Sequence, residues 1–209
     1  MRLYDHPASG NCMKARIALR QLGVPYEAVT VDLFRRETRS PEHMARNPDG
    51  RVPVLELDSG RMIPESAAIL LYLAEGTDLL PEDRLERATV HQWLFFEQNR
   101  IDSQIAVARF LVLTGRAARH PELTEALQAR GRDALAALAR GLADERPFIC
   151  GDSYTVADIA LYAYVHCAHE GGVDVREHGP LGGWLARVEA TPGFENDLAP
   201  FPPHAVVAS

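Results

Sequence analysis

A proline inside an apolar, strand-like run is the feature that most constrains the fold of this chain. The run is Arg51–Leu57, and Pro53 stands near its start. Because proline has no backbone N–H to give to a sheet ladder, Pro53 predicts a strand start, a sheet edge or a cis peptide bond. A cis bond here would turn the N–H and C=O of Val52 outward, where a ligand can pair with them. The run therefore predicts a strand together with a backbone binding element.

A second candidate binding element follows shortly after the first. Arg61–Ile63 predicts another short strand, and Glu65 and Ser66 stand where this strand gives way to a helix that we predict to end near Ala74. A helix start carries free N–H groups and a partial positive charge, which favour a carboxylate. The two elements together predict a site for an extended peptide that carries a carboxylate.

Strand and helix signals alternate over residues 1–76. Leu3–His6 predicts a strand, the apolar spacing over Asn11–Gly23 predicts a helix, and the alternation in Tyr26–Leu33 predicts a second strand. Pro41 is a candidate first helical residue, and Asn47–Gly50 has the composition of a turn. With the two later strands and their helix, this order predicts an α/β domain made of a βαβ half and a ββα half.

The pattern becomes helical almost throughout after a predicted linker at residues 77–83. The predicted helices are Arg84 to Gly115, Glu122 to Glu145, one opened by the Thr155–Asp158 segment, and Leu181–Glu189. Thr155 and Asp158 have the three-residue spacing of a capping box. The tail from Pro200 to Ser209 is predicted to be irregular. Residues 84–209 therefore predict an all-α helical-bundle domain.

Charge and cysteine usage exclude several classes of function. The net charge of −7 argues against nucleic-acid binding by phosphate neutralisation. The chain shows neither an apolar stretch long enough for a bilayer nor a signal-peptide core, so we expect no membrane association. The three cysteines, Cys12, Cys150 and Cys167, are far apart and odd in number, which fits a reducing compartment. We expect a cytoplasmic protein whose cysteines lie in the core.

The loop Ser9–Cys12 separates the first predicted strand from the first predicted helix. In an open α/β sheet, ligands bind beyond the carboxyl ends of the strands, so this loop faces the expected site. A hydroxyl or amide donor beside a helix start stabilises a thiolate, which makes Ser9 and Asn11 the candidate catalytic residues. Both are also good helix caps, and capping alone is the alternative. Cys12 falls inside the helical pattern and is expected in the core.

These motifs together resemble a bacterial glutathione transferase. The resemblance rests on Ser9–Lys14, Asn47–Pro53, Glu65–Ser66 and the Thr155–Asp158 box, and it covers nearly the whole chain. It implies a thioredoxin-like glutathione-binding domain at residues 1–76, a helical domain at residues 84–209, and a homodimer. Glutathione is the co-substrate that the resemblance implies.

The resemblance also implies which residues hold the peptide. Val52 offers backbone hydrogen bonds to the cysteinyl unit of glutathione, with Pro53 beside it in the same loop. Glu65 and Ser66 hold the γ-glutamyl end, and Arg51 is a candidate for the glycyl carboxylate. Ser9 or Asn11 is expected to contact the sulfur.

Other residues receive weaker assignments. Tyr4 lies inside the first strand, and we interpret it as a packing residue. The long helix is implied to wall a second-substrate pocket, for which Phe96 and Arg100 are the candidates, although aromatic residues at helical spacing are usually core. His166 and His169 are three apart, but no acidic or thiol partner completes a ligand set with metal-site spacing, so we predict no metal.

Three functions compete at this stage. The leading hypothesis is a glutathione transferase that activates the glutathione thiolate for attack on a small apolar electrophile. A glutathione-dependent disulfide reductase would use the same site, with the thiolate attacking a disulfide. A non-catalytic interaction protein with only the fold of the family is the third hypothesis, and the presence of every peptide-binding element argues against it.

Overall fold

A computed structural model describes residues 1–142 and 146–206, which divide into two units. The first unit holds Met1–Glu75 together with Pro192–Pro200. The second holds Gly76–Thr191 and the chain from Phe201 onward. The predicted division into a first domain at residues 1–76, a linker at 77–83 and a helical domain at 84–209 stays a prediction. The two units differ from it because Pro192–Pro200 belongs to the first unit.

Four short strands of the described chain form one mixed sheet in the first unit. They are β1 (Arg2–Asp5), β2 (Glu27–Thr30), β3 (Val54–Glu56) and β4 (Met62–Pro64). The order across the sheet is β2-β1-β3-β4. β1 runs parallel to β2 and antiparallel to β3, and β3 runs antiparallel to β4. This topology is the predicted βαβ half joined to a ββα half.

Three α-helices of the described chain complete the first unit. They are α1 (Gly10–Gln21), α2 (Pro41–Arg46) and α3 (Ser66–Ala74), with a short 3₁₀ helix at Glu37–Arg39 before α2. α1 is the crossover between the parallel strands β1 and β2, as such a connection requires. α1 and α3 pack against each other. The α/β organisation predicted from the sequence is confirmed.

Two strand boundaries differ from the prediction by three residues, and the others by one. The second strand was predicted over Tyr26–Leu33 but ends at Thr30, because the Asp32 carboxylate accepts hydrogen bonds from the N–H groups of Phe34 and Arg35, at 2.8 and 3.2 Å, and turns the chain. The third was predicted from Arg51 but begins at Val54, directly after a cis Val52–Pro53 peptide bond.

One apolar cluster lies beneath the predicted binding loops. Its buried members are Tyr4, Cys12, Val31, Val52 and Val54, with Val29, Leu33 and Met62 packed against them. The start of α1 and the approach to β3 therefore share a core, which holds the Ser9 loop and the Val52 loop on the same unit.

The second unit is mostly helical. Its longer helices are α4 (Arg84–Phe96), a π-helical segment (Glu97–Ala106), α5 (Val107–Leu113), α6 (Pro121–Gly141), α7 (Val156–Val165) and α8 (Pro180–Glu189). Short 3₁₀ helices lie at Arg116–Arg119, Ala168–Gly171, Val175–Glu177 and Pro203–Ala205. Over the described residues, none of the helices is both long and apolar enough to cross a membrane.

The predicted helices appear with shifted ends. The run predicted over Arg84–Gly115 is helical as far as Leu113, but its ten middle residues are π-helical, which apolar spacing did not predict. The predicted end of the next helix at Glu145 lies outside the described residues, as do residues 207–209 of the predicted tail. The part of the tail that is described contains the Pro203–Ala205 turn of 3₁₀ helix.

The predicted capping box at the start of α7 is formed. The Thr155 side chain accepts from the N–H of Ala157, and Asp158 accepts from the N–H of Thr155 at 3.0 Å. Asp158 is fully buried and also accepts from the N–H of Ile149 and the indole N–H of Trp184, both at 2.9 Å. The box therefore ties α7 to a preceding loop and to α8.

Candidate functional site

Ser9 stands in the loop between β1 and α1 and caps the helix. Its backbone is extended, with φ −89° and ψ 120°, and its Oγ accepts a hydrogen bond from the N–H of Cys12 at 3.3 Å. A hydroxyl that accepts one bond still carries its own O–H to donate. Ser9 is half-buried. Capping and donation to a ligand are therefore compatible at this residue.

Asn11 and Ser66 bring the starts of two helices together. The Ser66 hydroxyl donates to Asn11 Oδ1 at 3.3 Å, across 55 residues of sequence. Lys14 Nζ donates to the same oxygen at 2.7 Å. Because α1 begins at Gly10 and α3 begins at Ser66, this contact places two sets of helix-start N–H groups side by side. Two adjacent helix starts favour a bound anion.

Glu65 has the most unusual backbone of the predicted site residues. Its φ is +73° with ψ 118°. Residues other than glycine rarely adopt this backbone conformation, which costs about 1–3 kcal/mol. Its carbonyl accepts from the N–H of Ile69 at 2.9 Å and so closes the first turn of α3. Its exposed side chain makes no capping hydrogen bond. Such local strain is typical of ligand-binding positions.

The Arg51–Pro53 loop is held in place by hydrogen bonds from α2 and from the turn that follows α2. The carbonyl of Arg51 receives hydrogen bonds from His43 Nε2 and Asn47 Nδ2, both at 3.0 Å. His43 and Asn47 are buried, with 2% and 4% exposure. Within residues 1–142 and 146–206, no hydrogen bond engages the backbone of Val52. The loop therefore holds its Arg51 carbonyl by side-chain hydrogen bonds, while the Val52 amide and carbonyl are unpaired within the described chain.

The predicted turn at Asn47–Gly50 is confirmed, and it needs its glycine. The N–H of Gly50 donates to the Asn47 carbonyl at 2.8 Å, and Gly50 has φ +63°. A Cβ at this position would lie 2.7 Å from Arg39 Nη1, 2.8 Å from Met44 Sδ and 2.9 Å from the Thr38 carbonyl. Space as well as φ therefore requires glycine here.

The Arg51 side chain lies at the surface. Its Nε is 2.6 Å from Asp49 Oδ2, and its side chain is 70% exposed. An exposed ion pair of this kind contributes little to stability, so the guanidinium is available to exchange partners. Its assignment to a carboxylate of the ligand stays a prediction.

Cys12 is a core residue in the structure, as predicted. It is fully buried, and its Sγ accepts a hydrogen bond from the N–H of His6 at 3.4 Å. Burial, and next the nearby Asp5 carboxylate, hold the pKa of the Cys12 thiol far above its ordinary range. A thiol in this state is a poor nucleophile. Its burial therefore argues against Cys12 as a nucleophile.

Tyr4 packs within the core of the first unit, again as predicted. Its hydroxyl donates to Glu56 at 2.7 Å, and the Arg46 guanidinium lies 4.3 Å from its ring centroid. These contacts occupy both its polar and its aromatic ends.

Phe96 and Arg100 lie in the second unit. Phe96 ends α4, is half-buried, and packs edge-to-face against Trp93 with ring centroids 5.1 Å apart. Arg100 is exposed in the π-helical segment Glu97–Ala106. Long π-helical segments are rare and often mark functional positions, a signal that sequence reasoning missed. A second-substrate role for Phe96 and Arg100 stays a prediction.

Cys150 corrects one expectation, because it is only half-buried, whereas Cys167 lies in the core as expected. The chain turns at Cys150, since the backbones of Phe148 and Gly151 exchange hydrogen bonds on either side of it. Cys150 borders an open cavity of about 860 Å³ in the second unit. Burial still raises the pKa of its thiol to about 11. The apolar neighbours that suggested a core position belong to this turn.

The described residues were also compared with the ligand sets that hold metal ions. In the parts of the chain that the structure describes, no group of three or more His, Cys, Asp and Glu side chains is arranged to hold a metal ion. The expectation of a metal-free site stays a prediction.

The mixed sheet with two adjacent helix starts and the mostly helical second unit define a thioredoxin-like fold joined to an all-α partner domain. The chain belongs to the glutathione S-transferase family, and it is an enzyme of that family. The glutathione S-transferase N-terminal domain matches residues 3–79, and the C-terminal domain matches residues 121–203.

Individual relatives agree with this assignment. A maleylacetoacetate isomerase of Rhizobium meliloti (strain 1021) is 37% identical over 183 residues, which is 83% of this chain and 84% of that protein. A glutathione S-transferase from Pseudomonas fluorescens is 40% identical, with a TM-score of 0.92 over 95% of this chain and 98% of that one. A glutathione transferase family member from the same species, solved with two glutathione bound, is 26% identical with a TM-score of 0.80, over 92% of this chain and 89% of that one.

Proposed function

We propose that this enzyme binds glutathione at the starts of α1 and α3 and activates its thiol for attack on a small apolar electrophile. The observation that carries the proposal is the hydrogen bond between Ser66 and Asn11. It joins the predicted peptide-binding end of the site to its predicted sulfur end. A relative that was solved with two glutathione bound supports the choice of ligand.

The residues around α3 suit the γ-glutamyl end of the peptide, which carries an ammonium and a carboxylate. The Glu65 carboxylate complements the ammonium, and the Ser66 hydroxyl and the helix-start N–H groups complement the carboxylate. The Val52 amide and carbonyl, beside Pro53, pair with the backbone of the cysteinyl unit. Arg51 is the proposed partner of the glycyl carboxylate.

The residues around α1 suit the sulfur. The glutathione thiol resembles a free cysteine, with a pKa near 8.5, and is mostly protonated at neutral pH. Each unit by which a site lowers this pKa corresponds to about 1.4 kcal/mol of stabilisation of the thiolate relative to the thiol. Donation from the Ser9 hydroxyl, with Asn11 beside it, and the partial positive charge at the start of α1 stabilise the thiolate. The thiolate then attacks the electrophile, for which Phe96 and Arg100 are the proposed contacts.

Two alternatives remain in view. Glutathione-dependent disulfide reduction, in which the bound thiolate attacks a disulfide, would use the same site. Only a route through a mixed disulfide at Cys12 is disfavoured, by the burial of that thiol. Isomerisation of an electron-poor alkene is the second candidate, favoured by the relative named maleylacetoacetate isomerase. It also begins with attack of a thiolate on an electrophilic carbon, so the same site serves both reactions.

A homodimer in the cytoplasm is part of the proposal. Leu85 and Phe95 on α4 are 77% and 74% exposed, and exposed apolar side chains of this size supply contacts between subunits. Light scattering at micromolar concentration tests the assembly, and a monomer would contradict it without affecting the proposed chemistry.

The sulfur assignment is tested with Ser9→Ala, Asn11→Ala and Cys12→Ala. Each variant is titrated with glutathione by calorimetry, assayed with an aryl halide, and followed by the pH dependence of thiolate absorbance in the complex. We expect Ser9→Ala to raise the apparent thiol pKa most and Cys12→Ala to leave it nearly unchanged, because only the former removes a donor to the sulfur.

Three outcomes would contradict parts of this account. Loss of turnover in Cys12→Ala alone, or a mixed disulfide found at Cys12, would assign the reaction to thiol exchange. Absence of any heat of binding when the wild-type protein is titrated with glutathione would reject the ligand itself. An effect confined to Asn11→Ala would exchange the roles of the two polar residues and contradict the leading role of Ser9.

A further inference from the structure

Lys14 is a lysine buried in the first unit behind the proposed sulfur site. Its side chain is completely buried, and its Nζ donates to Asn11 Oδ1 at 2.7 Å. The two residues are three apart on α1 and so share one face of the helix. Burial of an ammonium is costly unless it is held by hydrogen bonds. A buried cation one turn inside the helix therefore calls for an explanation.

The contact determines which way the Asn11 amide faces. An ammonium only donates hydrogen bonds, so the Asn11 atom that faces Lys14 is the oxygen and not the nitrogen. The same oxygen accepts from the Ser66 hydroxyl at 3.3 Å. Two donors use both lone pairs of the amide oxygen, and the NH₂ group is turned away from Lys14. The donor end of Asn11 is thus oriented by Lys14 and Ser66 together.

The charged and titratable groups near Lys14 do not cancel the positive charge of its ammonium. On β1, Asp5 pairs with Arg16 at 2.6 Å, so its charge is compensated. The Cys12 thiol on α1 is held in its neutral form by its raised pKa. Glu65 at the start of α3 is exposed to solvent. The starts of α1 and α3, which the hydrogen bond between Ser66 and Asn11 joins, add partial positive charge near Asn11.

We propose that Lys14 is a positioning residue, whose ammonium holds the Asn11 NH₂ group toward the sulfur of bound glutathione and adds positive charge behind the thiolate. The inference rests on the proposed function and deepens it. Lys14 acts through Asn11, whose amide oxygen it holds, and the proposal needs no contact between Lys14 and the sulfur. Its effect is on the proton equilibrium of the bound thiol rather than on contacts with the peptide.

The test replaces Lys14 with uncharged side chains. Lys14→Met removes both the charge and the hydrogen bond, whereas Lys14→Gln keeps a donor without the charge. Arg20→Met is the matched control, since Arg20 lies on the same helix but pairs with Glu195 and Asp197. Each protein is titrated with glutathione, the thiolate absorbance of its complex is followed against pH, and kcat/KM with an aryl halide is measured over the same pH range.

We expect Lys14→Met to raise the apparent pKa of the bound thiol by about one unit or more, since a cation within about 4–6 Å shifts a titrating group by this amount. Its kcat/KM should fall about tenfold at neutral pH and return to the wild-type value at high pH, where the thiol is ionised in both proteins. A loss of packing alone would not be restored by pH. Arg20→Met should keep the wild-type pH profile.

Unchanged thiol pKa and unchanged kcat/KM in a folded Lys14→Met would overturn the role of Lys14. If Lys14→Met does not fold, Lys14→Gln carries the same test, because it keeps a donor for Asn11 and removes only the charge. If the wild-type protein binds no glutathione, the proposed function fails instead. The two failures are therefore distinguished by the wild-type titration.

Discussion

At the scale of single residues, the proposed site depends on polar side chains at two helix starts, joined by the hydrogen bond between Ser66 and Asn11 across 55 residues of sequence. Ser9, Asn11, Glu65 and Ser66 were predicted because each stands at a helix start, which is a local pattern. His43, Asn47 and Lys14 were not assigned a role in the site, because residue type and spacing alone do not show that a side chain donates to the Arg51 carbonyl or to the Asn11 amide. Local pattern therefore predicted the helix starts, but it did not predict the hydrogen bonds that hold these side chains in place.

Gly50 gives the first stability prediction at this scale. Gly50→Ala combines a positive φ with three contacts under 3 Å, so we expect it to lower the free energy of unfolding by about 2–4 kcal/mol. Gly60→Ala is the matched control, because Gly60 has φ +81° but nothing within 4 Å of an added Cβ. Its cost should be limited to about 1 kcal/mol for the backbone conformation. Urea unfolding of both variants makes the comparison, and equal costs would contradict the steric account.

At the scale of elements, apolar periodicity predicted the kind of each helix and strand better than its ends. The third strand begins after Pro53 and the second ends before Asp32, because a missing N–H and a side-chain acceptor override the apolar pattern. The π-helical segment Glu97–Ala106 could not be predicted, since its apolar spacing matches an α-helix closely over ten residues. The capping box at α7 was predictable because Thr155 and Asp158 are close in sequence.

The segment Pro192–Pro200 is an element that the sequence did not assign to the first unit. Asp197 accepts from Arg16 Nε at 2.9 Å and from Arg20 Nη2 at 3.0 Å. The N–H of Ala199 donates to the Pro7 carbonyl at 3.1 Å, which also accepts from Arg16 at 3.2 Å. The segment therefore packs beside the loop that carries Ser9.

The Asp197 carboxylate predicts a pH-dependent contribution to stability. Partial burial alone would raise its pKa, but the Arg16 hydrogen bond and the charges of Arg16 and Arg20 outweigh this, so the pKa lies below its ordinary value. Because the folded state favours the ionised form, the stabilisation is present above the unfolded-state pKa of about 3.9 and is lost as the pH falls through the folded-state pKa. Asp197→Asn should therefore lower the free energy of unfolding by about 1–2 kcal/mol at pH 7.

The difference between Asp197→Asn and the wild type should shrink as the pH falls below the unfolded-state pKa of about 3.9, because the wild-type carboxyl then also loses its charge. Glu195→Gln is the matched control on the same segment, since Glu195 pairs with Arg20 but is 63% exposed. Exposed pairs contribute between about zero and 1 kcal/mol, so this variant should change little at any pH. A difference for Asp197→Asn that is constant from pH 3 to pH 7 would show that its charge is not the cause.

At the scale of the whole molecule, the α/β and helical parts were both predictable because their patterns change sharply near residue 76. The combination of a proline-started strand, a Glu-Ser helix start and a polar first loop was enough to suggest the family, and the family comparison confirms it. The electrophile was not predictable, because side chains for a second substrate are not defined by any local pattern. The proposed transferase reaction and the alternative isomerase reaction would begin with the same step, attack of the glutathione thiolate on an electrophilic carbon.

The central claim is that the start of α3 binds the γ-glutamyl end of glutathione, and Glu65 tests it most directly. Calorimetric titration of glutathione into Glu65→Ala is compared with Glu75→Ala, a carboxylate at the opposite end of the same helix. Loss of a charged hydrogen bond costs about 1.5–3 kcal/mol, so we predict that Glu65→Ala weakens the affinity by about ten- to a hundredfold or more. Glu75→Ala should bind like the wild type. Wild-type affinity in a Glu65→Ala protein with unchanged unfolding would contradict the account.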